Sequence, residues 1–179
     1  MKVTVFISTL ISLTQICYSQ NFIPSDAGSK VHFVINNFGF KVGGDFTGLK
    51  GAIVFNPQSL SSSSFRVSVN SASINTGNST RDGHLRKPEY FDVSKYPMIS
   101  FVSNKITKSS IAGRYYVFGN LTIKGITKPV EFGFSGTPSP TGYVFSGEFE
   151  INRRDFGVGG SSMSMSDHLK VVLEVAANK

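Results

Sequence analysis

The feature that most restricts what this chain can fold into is a period of two, repeated over most of its length. Val31, Phe33 and Ile35 alternate with polar or smaller residues, and the same pattern returns at Phe65, Val67 and Val69 and at Leu169, Val171, Leu173 and Val175. Successive side chains of a β-strand point to opposite faces, so each such run is a strand with one buried face. About eight runs follow one another: Lys30 to Asn36, Phe46 to Phe55, Phe65 toward Ile74, Met98 to Ile106, Arg114 to Lys124, Lys128 to Ser135, Tyr143 to Arg153, and Leu169 to Val175. Turn formers separate them, among them Asn56-Pro57, Gly125 and Thr137 to Gly142. The lead-in from Asn21 to Gly28 reads as polar, and Phe38 to Gly44 reads as a bend or bulge. Regularly spaced short strands of this kind imply an all-β sandwich or barrel.

One stretch breaks the pattern. From Ser73 to Pro97 the chain has turn formers at Asn75, Thr76, Gly77, Asn78 and Ser79, and then a cluster of Arg81, Asp82, His84, Arg86 and Lys87. It ends on Tyr90-Phe91 and a second turn at Tyr96-Pro97. A long excursion dense in ionisable groups is a place where β-folds carry function. It reads as a crossover with one short helical turn whose aromatics plug an end of the fold, with or without a ligand contact.

The first nineteen residues are set apart. Lys2 precedes a mostly apolar run to Ile16, and Cys17-Tyr18-Ser19 has small residues at the positions a signal peptidase requires, so residues 1–19 are expected to be a secretory signal peptide and Gln20 the mature start. The run is short and polar for a membrane span. The single cysteine, Cys17, leaves with it. The remaining 20–179 region is then one domain held by its core and not by disulfides. The formal net charge is +7 and falls to +6 without Lys2, which favours anionic partners; export argues against nucleic acid. The destination is periplasmic or secreted.

Sixteen phenylalanines and no tryptophan give the chain walls free of hydrogen-bonding groups. In a barrel, Phe33, Phe101, Phe132 and Phe149 are the candidate lumen residues. Eight closed strands either fill with side chains or hold one small ligand, and composition does not choose between these. Gly119 and Gly147 inside strands mark bends or room for a guest. Arg153 shares the parity of Phe149 and Ile151, so it points to the apolar face, where a guanidinium needs either a ligand head or a carboxylate such as Asp155 or Asp82. Arg81 and His84 are the next candidates for a polar contact.

Catalytic readings have less support. No serine sits in a nucleophile elbow. His32, His84 and His168 are scattered without metal-ligand spacing, so neither a metal nor a cofactor is expected. An acid–base enzyme built on the Arg81 to His84 cluster, with Asp82 and His84 as its pair, stands as the alternative, as does a structural barrel with a filled core.

Several motifs together resemble one known family. They are Thr76-x-x-x-x-Arg81-Asp82-x-His84-Leu85, Tyr90-Phe91-Asp92-Val93-x-Lys95-Tyr96-Pro97, Gly119-x-Leu121-Thr122-Ile123-x-Gly125-Ile126-Thr127-Lys128-Pro129-Val130, and Ile151-Asn152-Arg153-Arg154-Asp155-Phe156-Gly157. Over nearly the whole mature chain the sequence resembles the YceI-like family of exported polyisoprenoid-binding proteins. The resemblance implies an extended eight-stranded antiparallel, lipocalin-like barrel with an isoprenoid in its lumen. Asn37 departs from the family, where many relatives carry histidine. An isoprenoid tail gains about 0.8 kcal/mol for each CH₂ it withdraws from water. Its head, a quinone or a polyprenyl phosphate, needs donors or positive charge. The implied protein carries a polyisoprenoid or other long-chain amphiphilic lipid and does no covalent chemistry.

Overall fold

The structure, a computed structural model, describes residues 20–179. The expected leader, with Cys17, lies outside the described residues. Nine strands form one antiparallel sheet: β1 (Asn21–Asn37), β2 (Phe40–Phe46), β3 (Lys50–Val54), β4 (Ser64–Asn70), β5 (Met98–Lys108), β6 (Arg114–Ile123), β7 (Ile126–Ser139), β8 (Gly142–Asn152) and β9 (Met165–Asn178). Among the described residues one α-helix, α1 (Ser79–Leu85), lies in the excursion between β4 and β5.

Closure depends on β1. One of its edges pairs with β9 from Ile23 to Asn37, across two irregularities. The other edge is divided: Asn21 and Phe22 pair with β3, and Val31 to Asn37 pair with β2. Strands β1 and β3 to β9 therefore close an eight-stranded antiparallel barrel. The ninth strand, β2, folds back on β1 as a hairpin and is joined to the excursion by the Asp45–Asn75 bridge.

Three expectations need correction. The lead-in from Asn21 to Gly28 is the first half of β1, and Phe22 within it is completely buried. Its pattern was hidden by Pro24, Ser25 and Asp26, residues that disfavour strands but sit here beside an irregularity in the β1–β9 ladder. The bend at Phe38 to Gly44 is a tight turn followed by β2, so the expected strand from Phe46 to Phe55 is two strands broken at 47–49. The loop from Thr137 to Gly142 is shorter than expected, because β7 runs to Ser139 and pairs with Gly142.

The barrel is filled at one end and hollow at the other. Phe55 is the hub of the filled end, in edge-to-face contact with Tyr115, Phe134, Tyr143 and Phe145 at ring separations of 5.2, 6.0, 5.4 and 5.3 Å. Phe22 and Phe65 extend this cluster. The excursion covers the opposite end. Its base is fastened by Ser71, whose amide donates to Pro97 O at 2.9 Å and whose hydroxyl donates to Tyr96 O at 2.7 Å.

Candidate functional site: an apolar lumen with a polar mouth

The hollow half encloses a cavity of about 210 Å³. Its walls are the inward faces of β1, β2 and β4 to β9, including Val31, Val69, Ile99, Leu121 and the apolar series of β9. Phe33, Phe101, Phe132 and Phe149, the four phenylalanines picked out by parity, all line it. Phe132 and Phe149 stack at 4.5 Å just past the last paired residues of the β7–β8 ladder, where their rings bridge the two strands. Phe101 lies flat on the sheet because Gly119 faces it; a β-carbon there would stand 2.5 Å from its ring and 2.5 Å from Val102 O. Gly119 thus makes room for the Phe101 ring, and the irregularity of the β5–β6 ladder between Ser103 and Lys105 falls opposite it, as a strand bend requires.

The excursion forms the lid. Asn78 caps α1 by accepting from the Arg81 amide at 3.0 Å. Asp82 is buried and turned back on Thr76, accepting from its amide at 2.9 Å and its hydroxyl at 2.6 Å. Arg81 clasps the same residue, donating from Nε to Thr76 Oγ1 at 2.8 Å and from Nη2 to Thr76 O at 2.9 Å. Its Nη1 has no further hydrogen-bond partner among the described residues. Leu85, Tyr90 and Phe91 close over the lumen from this side, so the aromatic plug is present.

A second, more polar depression opens beside the lid, bounded by Asn78, Thr80, His84 and the residues it shares with the lumen. Those shared residues are Asn37, Arg81, Leu85, Tyr90 and Met165, which make it the mouth of the same cavity. His84 belongs to the mouth and not to the lumen. Asn37 Oδ1 is buried there without a hydrogen-bond partner. Such an oxygen costs roughly 1–3 kcal/mol unless something supplies a donor. Alternation alone did not identify Asn37, Val42 or Met165 as part of the site. Asn37 ends β1, Val42 lies in the glycine-rich β2, and Met165 opens β9, so each sits beyond the stretch over which the apolar alternation was read.

Arg153 lines the lumen but its guanidinium is committed elsewhere. It is 3% exposed. Nε donates to Ser166 O, Nη1 to Val158 O and Gly160 O, and Nη2 to Asp167 Oδ1 at 2.8 Å and to Met165 O at 3.5 Å. All five of its N–H donors are thereby used. The carboxylate partner is Asp167, not the expected Asp155 or Asp82. A residue fourteen positions downstream was beyond sequence reading because the intervening loop has no regular structure. Arg153 staples that loop to the end of β8, and Lys124 adds a bond from Nζ to Gly157 O at 2.7 Å.

The acid–base alternative finds no dyad. Asp82 is buried on Thr76 while His84 is exposed, and residues two apart on a helix do not face one another. His32 bonds Asp45 across the β1–β2 hairpin at 2.7 Å, and neither bonds Asp82 or His84.

The sequence profile of the YceI-like domain matches residues 24–177, nearly the whole of the barrel. The chain belongs to the YceI-like family. It is 30% identical over 152 residues to the Protein YceI of Salmonella heidelberg, covering 81% of this chain and 78% of that one. A UPF0312 protein of Serratia proteamaculans is similar to the same extent. Among solved structures, BcnA of Burkholderia cenocepacia superposes with a TM-score of 0.80 at 24% identity, over 86% of this chain and 98% of its own. A polyisoprenoid binding domain from Saccharophagus degradans superposes with a TM-score of 0.69 at 13% identity, over 90% and 99%. These two likenesses establish the barrel shared with YceI-like proteins.

Proposed function

We propose that this protein is an exported carrier that holds an amphiphilic lipid, of the polyisoprenoid class, with its tail in the lumen and its head at the mouth. The observation that carries this reading is a blind apolar cavity ending in a polar mouth. The cavity exceeds the roughly 150 Å³ apolar voids that stay dry and take benzene-sized guests, and falls short of the ~300–1,000 Å³ typical of bulky drug-like ligands. A slim chain suits it. The filled end stops the chain, so entry is from the mouth. There Arg81 supplies positive charge, Asn37 an acceptor oxygen that a hydroxyl on the head would satisfy, and His84 a further polar group. Arg153 acts by holding the mouth loop in shape. Phe33, Phe101, Phe132 and Phe149 make the tail contacts. The polyisoprenoid binding domain of similar shape supports the same ligand class. The sequence of residues 1–19 supports export.

Extraction of protein purified from its native host, followed by mass spectrometry, tests the reading. A co-purifying lipid series whose members differ by one isoprene unit is the expected result. Protein that yields no lipid and takes up no prenol would reject it.

A further inference from the structure

The rim of the mouth carries an apolar cluster that the fold does not need. Phe38 and Phe40 flank Gly39 at the tip of the β1–β2 hairpin and are 75% and 76% exposed, and Met163 in the last loop is fully exposed. The two tips are tied together, since the Phe38 amide donates to Ser164 O at 2.8 Å. Asn37 and Met165, next to them in the chain and paired with each other, line the mouth itself.

Phe38 is also in the wrong conformation for its type. Its φ is +50° and that of Gly39 is +78°, the two positive values of a type I′ hairpin turn. Asn-Gly makes that turn at low cost, whereas a bulky residue with positive φ is strained. The chain thus accepts both strain and exposure to place a phenylalanine at this tip. A strained, exposed aromatic beside a binding mouth points to function.

We propose that the Phe38–Phe40 tip and Met163 form a docking face that inserts into the surface of an anionic lipid bilayer, bringing the mouth to the membrane. The occupant follows from three features. The face borders a cavity suited to a lipid tail, and such a guest passes between membrane and lumen without crossing water only if the mouth abuts the bilayer. Aromatic tips of this kind bury shallowly in the headgroup boundary. The net charge of +6 without Lys2, with exposed Lys41 next to Phe40 and exposed Lys87 beyond the lid, complements anionic headgroups. Glu89 sits near Lys87, so the local charge excess is modest and the apolar tip carries most of the attachment. The proposal rests on the lipid-carrier reading for its purpose, but attachment and lumen binding are measured separately.

The test uses flotation with mixed phosphatidylcholine and phosphatidylglycerol vesicles, comparing the chain with a Phe38→Asn/Phe40→Thr/Met163→Ser variant. Phe38→Asn places a favoured residue in the turn, so the variant is expected to melt at or above the temperature of the parent. Attachment is expected to fall about tenfold, with only a weak dependence on salt. Farnesol added from solution reports the lumen independently. Equal farnesol binding by parent and variant, with vesicle attachment lost in the variant, supports docking. Parent that attaches to vesicles but takes no farnesol, with attachment lost in the variant, supports docking and sinks the carrier reading instead. Parent that stays unattached, or a variant that attaches as well as the parent, overturns the proposal. So does a parent that does not attach but self-associates through the tip, which would assign the face to a second copy of the chain.

Discussion

The two halves of this barrel are built from the same residue types on the same alternating strands, yet one is solid and the other hollow. In the solid half Phe55 is surrounded by Tyr115, Phe134, Tyr143 and Phe145, and edge-to-face contacts on several sides consume the space. In the hollow half Phe33 and Phe101 lie against Gly44 and Gly119, and Phe132 stacks on Phe149, so the rings flatten into the wall. An aromatic side chain fills or lines a barrel according to what stands beneath it. In the hollow half Gly44 and Gly119 leave room for the rings of Phe33 and Phe101 close to the sheet, whereas in the filled half rings from several strands converge on Phe55.

The sharpest way to break that contrast is Phe55→Ala. Phe55 is buried, and removing its ring from a close-packed cluster is expected to cost about 3–5 kcal/mol, the transfer loss plus a residual cavity. Urea denaturation would measure it, and a prenol longer than the parent accepts should bind if the new void joins the lumen.

Arg153→Met follows. It leaves Asp167 with only the longer Arg154 contact at 3.4 Å and strands the carbonyls of residues 158, 160 and 166. Asp167 is 34% exposed and regains water, so a loss of about 3 kcal/mol, the low end for a broken buried pair, is expected. The loop from Val158 to Ser164 should become sensitive to protease. A variant that melts like the parent but loses lipid binding would return Arg153 to the ligand's head.

Phe149→Ala probes the wall. The ring already faces a void, so stability should fall by only about 1–2 kcal/mol, whereas the melting increment conferred by farnesol should shrink visibly. Equal losses in Phe149→Ala and Phe55→Ala would erase the distinction between lining and filling.

The smallest effect has the opposite sign. Asn37→Leu removes a buried oxygen that lacks a donor, so the free protein is expected to gain up to about 1 kcal/mol. Binding of a ligand with a polar head should weaken, while a pure hydrocarbon should bind as before. A loss of stability would mean that the amide has a structural task.

Much of the architecture was legible because alternation survives wherever one face of a strand is buried. It marked Phe33, Phe101, Phe132 and Phe149 for the inner face, and the motifs of the excursion marked the lid around Arg81. It failed where the chain leaves the period. The start of β1 was obscured by Pro24 to Asp26. The hairpin strand β2, with Gly43 and Gly44 at its centre, carried too little apolar signal to register as a strand.

By itself the sequence determined an all-β chain of about eight half-buried strands, a polar excursion, and an inward Arg153 that required partners. Its period states which side of a strand avoids water, and that suffices for those conclusions. Only the tertiary structure decided that the partner is Asp167, that β2 doubles one edge of the barrel, and that one half is filled while the other is empty. Those outcomes depend on which residues from distant strands come to stand opposite one another, and a period of two records the face of a side chain but not its neighbour across the barrel.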